Sequence, residues 1–403
     1  MQALSELTVL EIGEGVAVAF AGKTFADFGA DVIKVESPGG DPVRREGPFP
    51  GGRPDLEASA PFLFFNRNKR GVTLDPASRA GRSLLARLAS RADLILASCS
   101  LRDLAGLGIG LAQLAPARPA VVVASLTPFG EDGPYRDFQA TELVADAIGG
   151  PVSLTGMPPA APLSKPLHMV AAQVGAKLAM ASLAAVVASR RSGEGQEVEL
   201  SATDVLVTSF DRRVAMLMAY QLSGDTNTRP FGGGRALSLP AGYYPCADGW
   251  VVIASTPRWV PRMLATLGDP GLNEYFAAHA DAAYRPETTQ VLAPVLNRWL
   301  AAHGRLECFE QAVLAHGWPV FPVNQPGDVL QDPHFAGRGY FLEADHPVAG
   351  RHRQPGAPWR MGDGGFENRR PAPLLGQDNQ AVYADELGVD PAELTRARTL
   401  GVI

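Results

Sequence analysis

Apolar and polar positions alternate along the first 130 residues in a pattern that switches repeatedly between strand and helix periods. Leu7 to Ile12 is a short apolar run that stops at Gly13 and Gly15. The next stretch, apolar at Val18, Phe20, Phe25 and Phe28, predicts a helix ending at Gly29. Asp31 to Glu36 is a β-branched strand closed by Ser37-Pro38-Gly39-Gly40. Strand, glycine turn, helix and strand in that order form a βαβ unit. The alternation continues with an amphipathic helix from Pro76 to Arg91 and a strand from Ala92 to Leu96. A short helix over Leu101 to Leu107 and a strongly β-branched strand over Ala120 to Leu126 follow. This grammar predicts an α/β fold whose mainly parallel sheet is covered on both faces.

Further on, Thr141 to Gly149 reads as helical, and His168 to Arg191 as a long alanine-rich helix with Arg190 and Arg191 in its last turn. Glu197 to Leu200 is a short strand, and Ala202 to Leu222 another helix. Polar and glycine-rich residues 223–234 mark a boundary. Beyond it, Tyr243 to Cys246 and Trp250 to Ala254 flank an Ala-Asp-Gly turn and predict a hairpin. Helices carrying Trp259, Leu264, Phe276, Leu292 and Trp299 follow, so residues 239–330 read as a smaller α+β domain. The tail reads as a proline- and arginine-rich loop as far as Pro373, with a terminal helix near Gln380 to Leu387.

A chain of 403 residues is too long for one ordinary core, so two domains are expected. Hydrophobic residues at 46% and charged residues at 19% place it among globular proteins. A formal net charge of −6 disfavours nucleic acid and anionic membrane as partners. Cys99, Cys246 and Cys308 are too widely spaced for a disulfide framework or a zinc site. The N-terminus lacks a basic segment followed by an apolar run, so the expected location is the cytoplasm. Polar and charged groups at Gln173, Lys177 and Ser182 argue that the long alanine-rich helix is buried in protein, with no membrane span. Gly13-Glu-Gly15 is an incomplete nucleotide fingerprint. Val18 takes the third glycine position, and Glu14 would repel a pyrophosphate, so no nicotinamide site is expected.

Seven segments in order resemble the class III CoA-transferases, the group of formyl-CoA transferase, carnitine CoA-transferase and α-methylacyl-CoA racemase (CaiB/BaiF type). They are Phe25 to Pro42, Phe64 to Asp75, Phe129 to Asp137 leading to Gly156, Ser192 to Leu200, Tyr244 to Gly249, Pro322 to Asn324, and Asp332 to Gly339. The resemblance implies a Rossmann-like large domain with a mainly parallel sheet, plus a smaller α+β domain, in an interlocked homodimer. Residues 1–222 would begin the CoA-binding large domain, 223–331 would hold the linker and small domain, and 332–403 would return to complete the large one.

Enzymes of this kind use a carboxylate that attacks a thioester, forms a mixed anhydride and then an enzyme-bound thioester. In similar proteins it is an Asp shortly before a glycine on the long helix. Matching that glycine to Gly175 puts Ala171 at the position. An alanine forms no anhydride, so three readings stay open. Glu142 or Asp146 could substitute as the carboxylate. Lyase, hydrolase or isomerase chemistry could run without a covalent carboxylate, with His168 or Glu142 as base. Or the chain binds acyl-CoA without catalysis, or pairs as a heteromer with an active relative. For CoA itself the resemblance points to Gly15, Val16, Asn68, Lys69, Arg70, Ser98 and Cys99, with Arg44 and Arg45 as further cations for phosphates. The expected substrates are an acyl-CoA and a carboxylic acid, with no metal. The segment Phe231 to Arg235 reads equally as a lid over the acyl group or as a linker.

Overall fold

The computed structural model describes residues 2–156, 160–208, 213–224 and 239–403. The first of two compact units comprises Met1–Thr155, Pro162–Asp225 and Gly339–Ile403, and the second Gly156–Ala161 and Thr226–Arg338.

The large unit is built on six strands: β1 (Thr8–Ile12), β2 (Asp31–Glu36), β3 (Arg70–Thr73), β4 (Leu94–Ala97), β5 (Val122–Thr127) and β6 (Gln196–Ser201). Their order across the sheet is β3-β2-β1-β4-β5-β6, and every pairing is parallel. Interleaved with them are α1 (Val16–Asp27), α2 (Ala60–Phe65), α3 (Arg79–Ala89), α4 (Leu101–Gly106), α5 (Leu111–Leu114), α6 (Glu142–Gly149) and α7 (Met169–Ser192). Successive side chains of a strand point to opposite faces, and both faces here are apolar. On one, Leu10, Ile33, Ile95 and Val123 meet Leu84, Leu85 and Leu88 of α3 together with Val382 and Tyr383 of the tail. On the other, Val9, Val32, Leu94 and Val122 meet Val18 and Phe25 of α1 and Val174 and Leu178 of α7. That is why β4 and β5 read as nearly continuous apolar runs, and β1 and β2 as apolar runs broken at Glu11 and Lys34.

Among the described residues, α7 is the one helix long and apolar enough to cross a membrane by length and composition, and half of its most apolar window is buried inside the protein. Its buried face runs through Val170, Val174, Leu178, Ala185 and Val186.

Several elements differ from the expectations. The helix expected over 202–222 is two pieces, α8 (Ala202–Val207) and α9 (Arg213–Ser223), with 209–212 outside the described residues. Arg70, expected to contact CoA, instead begins the edge strand β3. The tail is not loop throughout. It forms an antiparallel hairpin of Phe341–His346 and Gly350–Pro355, then a π-helix over Gln380–Glu386 and a last helix over Pro391–Thr399. Tyr383 Oη donates to the Thr73 carbonyl at 3.0 Å, and Asn379 Nδ2 to Thr73 Oγ1 at 2.8 Å, which ties this tail to the sheet edge.

The second unit holds an antiparallel sheet of Ala241–Cys246, Gly249–Ala254 and Val320–Pro322. Val251, Ile253 and Val320 face a core with Met263, Leu292, Leu296, Trp299 and Trp318.

Candidate active site

In a doubly wound sheet, ligands settle outside the carboxyl ends of the strands, where the strand order reverses. Here that point lies between β1 and β4, the strands that carry the chain off in opposite directions. A cavity of about 650 Å³ opens there, lined by Gly13, Glu14 and Ala17 after β1, Ser98 after β4, and Thr127 and Pro128 after β5. Thr141, Glu142 and Ala145 from the α6 region and Val170, Ala171 and Val174 from α7 close the wall.

The turn after β1 is shaped by glycine. Gly13 has φ +108°, and a Cβ there would stand 2.1 Å from Ser98 Oγ. Ser98 Oγ instead accepts the Glu14 amide at 2.9 Å, which fastens the ends of β1 and β4 together. The Gly15 amide lies 3.3 Å from Asp41 Oδ1. Asp41 is buried and takes Lys34 Nζ at 2.8 Å, and Lys34 also bonds Glu11 Oε1 at 3.1 Å. Burial works against the charge on Lys34, but the Asp41 and Glu11 carboxylates outweigh it and hold the ammonium above its ordinary value.

Glu142 is the first residue of α6, whose N-cap is Thr141. Its Oε2 accepts the Ala171 amide at 3.1 Å, and its Oε1 lies 3.1 Å from His168 Nδ1. The Ala171 amide is one of the unpaired N–H groups in the first turn of a 24-residue helix, and the His168 N-cap provides no side-chain hydrogen bond. A carboxylate from another helix satisfies it, at the end where the helix dipole favours negative charge. Glu142 and Ala171 therefore meet on one wall of the cavity.

The other expected residues are dispersed. Asp146 is fully buried, does not line the cavity, and has no hydrogen-bond partner on either carboxylate oxygen among the described residues. Lys165 Nζ stands 3.8 Å from it. Val16 is buried at the start of α1 beside Ala171. Cys99 lies beside the cavity turn, but burial, with Asp103 and Glu131 nearby, pushes its thiol up to about 12, so it is an inert thiol at neutral pH.

The residues expected to meet CoA phosphates need correcting. Lys69 was expected beside phosphates, but its ammonium is fully buried. It is held by the Ala19 carbonyl and Asn66 Oδ1, each at 2.8 Å, and by Glu11 Oε2 at 2.7 Å. Two of these are hydrogen bonds and the third an ion pair, and burial lowers the ammonium's pKa to about 8. Asn68 points inward too, donating to Asp27 Oδ1 at 2.8 Å and accepting the Arg369 amide at 2.8 Å. Arg70 is clamped between Asp31 and Glu386. Arg44 is buried on Glu36, with Nε 2.7 Å from Oε2. Arg45 remains near the surface, donating to the Gly39 carbonyl at 2.7 Å. Residues 231–235 fall outside the described residues.

Sequence reasoning missed Glu46, whose Oε2 lies 2.9 Å from His168 Nε2. No motif marks it. It follows a short turn rich in charge, where an exposed acid is the ordinary finding.

Comparison with known proteins supplies the chemistry. A family model described as CoA-transferase family III matches residues 4–379. The chain is 29% identical over 396 residues to the succinyl-CoA:(R)-benzylsuccinate CoA-transferase subunit BbsE of Thauera aromatica, covering 95% of this chain and 94% of that protein. It is 30% identical over 418 residues to a succinyl-CoA–D-citramalate CoA-transferase of Chloroflexus aurantiacus, covering 99% and 98%. Among solved structures, a CaiB/BaiF family protein from Brucella suis superposes with a TM-score of 0.83 at 26% identity, covering 95% of this chain and 99% of that one.

Proposed function

Because the chain belongs to CoA-transferase family III, we propose that it holds a CoA thioester in the cavity at the β1–β4 crevice and moves CoA between an acyl-CoA and a carboxylic acid. The observation that carries this reading is the Glu142 carboxylate on the cavity wall, bonded to the Ala171 amide. It stands beside the position where the expected acid is missing.

In this route a Glu142 oxygen attacks the thioester carbonyl and expels CoA thiolate, leaving a mixed anhydride. The thiolate then attacks the Glu142 carbonyl, which releases the free acid and leaves CoA as a thioester of Glu142. An incoming carboxylate attacks that thioester, and the thiolate returns to the new acyl group, restoring Glu142. The apolar walls with hydroxyls at Ser98, Thr127 and Thr141 suit a pantetheine arm and a small acyl group.

A second reading places the acid on another chain. Ala171 supports it, and so does the designation of the Thauera relative as a subunit. Exposed Met180, Leu183 and Val187 on α7, with Leu143 and Ile148 on α6, suit a chain–chain interface, either a homodimer or a heteromer with an acid-bearing relative.

The deciding experiment is exchange of labelled acetate into acetyl-CoA by the purified chain, with hydroxylamine trapping and mass spectrometry to locate the adduct. Exchange that disappears in Glu142→Gln, with label on Glu142, supports the first route. Exchange that appears only after an acid-bearing family member is added supports the second. An empty result in both arms, with no CoA bound, would sink the function.

A further inference from the structure

His168 stands between two carboxylates. Its Nδ1 lies 3.1 Å from Glu142 Oε1 and its Nε2 2.9 Å from Glu46 Oε2. The ring meets the edge of Phe65 from α2, with centroids 6.1 Å apart at 88°. Three separate stretches of chain thus fix one imidazole.

The backbone that presents it is costly. Leu167 and His168 both have positive φ, +36° and +51°, in the left-handed region that residues with a Cβ avoid. At His168 the two carboxylates and the Phe65 ring surround the side chain that this backbone presents.

We infer that Glu46 is a positioning residue for CoA transfer: acting through His168, it fixes the orientation of the Glu142 carboxylate over Ala171. This rests on the reading of Glu142 as the acyl-accepting carboxylate. With only Glu142 as partner, the imidazole is free to turn about its side-chain bonds and take the Glu142 oxygen with it. A second carboxylate, 2.9 Å from the far nitrogen and paired with it when the ring carries both protons, restrains that turning. The Ala171 amide then holds one carboxylate oxygen and the ring the other, which fixes the carboxylate plane relative to the cavity. Glu46 does not line the cavity, so its effect falls on the chemical step and spares thioester binding.

The test uses acetate exchange into acetyl-CoA by the full chain, with Glu46→Gln, His168→Asn, their double variant and Glu142→Gln. Glu46→Gln is expected to lower kcat by about tenfold, the size of one partly exposed charge-assisted bond, while KM for acetyl-CoA stays within about twofold. In the His168→Asn background the same substitution is expected to have no further effect, a coupling that a general loss of stability does not produce. Loss of exchange in Glu142→Gln alongside an unchanged kcat in Glu46→Gln overturns the inference but leaves the Glu142 reading standing. Exchange that survives Glu142→Gln sinks that reading, and the inference with it.

If the chain alone shows no exchange, NMR of histidine-labelled protein decides, with His168→Asn assigning the signal. Ring N–H signals of His168 protected in the natural chain and lost in Glu46→Gln support the positioning role. A His168 ring that exchanges freely in the natural chain, or that is unchanged in Glu46→Gln, rules it out.

Discussion

Gly175 of α7 lies so close to Ala17 of α1 that a Cβ at position 175 would stand 2.3 Å from the Ala17 carbonyl oxygen and 2.9 Å from Phe20 Cβ. The two helices cover one face of the sheet, and Ala17, Ala171 and Val174 from the same pair line the cavity. Backbone contact at Gly175 therefore sets where the cavity wall stands.

Gly175→Ala pits two effects against each other. Alanine is favoured over glycine inside a helix by about 1 kcal/mol. Overpacking against a backbone oxygen, which has no rotamer to yield, costs about 1–3 kcal/mol or more. The clash wins, and urea unfolding is expected to show a net loss of about 1–2 kcal/mol together with weaker acetyl-CoA binding. An unchanged or raised unfolding midpoint would mean that α1 and α7 are not packed this closely.

Asp41 ties the cavity turn to the buried charges beneath it. Burial alone would raise its carboxyl pKa, but Lys34 at 2.8 Å and the Val43 and Gly15 amides prevail and hold it below the ordinary carboxylate range. A depressed folded value gives stability that is fully present above about pH 4 and lost as pH falls through that value. Asp41→Asn is expected to cost about 3 kcal/mol at pH 7, because Lys34 keeps only Glu11 as a partner. The gap between the two proteins should narrow at pH 3 and below. Urea titrations of both at the two pH values check this, and a gap independent of pH would contradict it.

How much was legible in the sequence follows from the same buried charges. Strands β1, β2, β4 and β5 stood out because strands covered on both faces are rich in apolar and β-branched residues. β3 did not, since Arg70-Gly71-Val72-Thr73 is four residues long and follows four polar or basic ones. The hairpin Phe341–Pro355 hid behind exposed Glu343, Asp345, Arg351 and Arg353. Asn68 and Lys69 looked free to meet a CoA phosphate because their partners, Asp27 and Glu11, lie more than forty residues earlier in the chain. One signal was available: Glu11 interrupts an apolar strand, and an acid in a buried run demands a buried cation. Glu142 and Ala171 came from family resemblance, and nothing linear connects Glu46 to either.

Ala171→Asp tests whether the cavity delivers a thioester to the first turn of α7. Ala171 lines the cavity and is buried at 6% exposure, so a new carboxylate there faces the cavity. The helix N-terminus favours its charge, worth about 0.3–1 kcal/mol, while Glu142, bonded to the amide of residue 171 itself, opposes it. The nucleophile gained is the larger effect. Acetate exchange is expected to rise by about tenfold or more over the natural chain, with hydroxylamine-sensitive label on the peptide containing residue 171. Adding Glu142→Gln to this variant relieves the repulsion and should leave that exchange in place. A folded variant that binds acetyl-CoA yet carries no label at residue 171 would show that the thioester lies out of reach of α7, and Glu142, on the same wall, would lose its claim along with it.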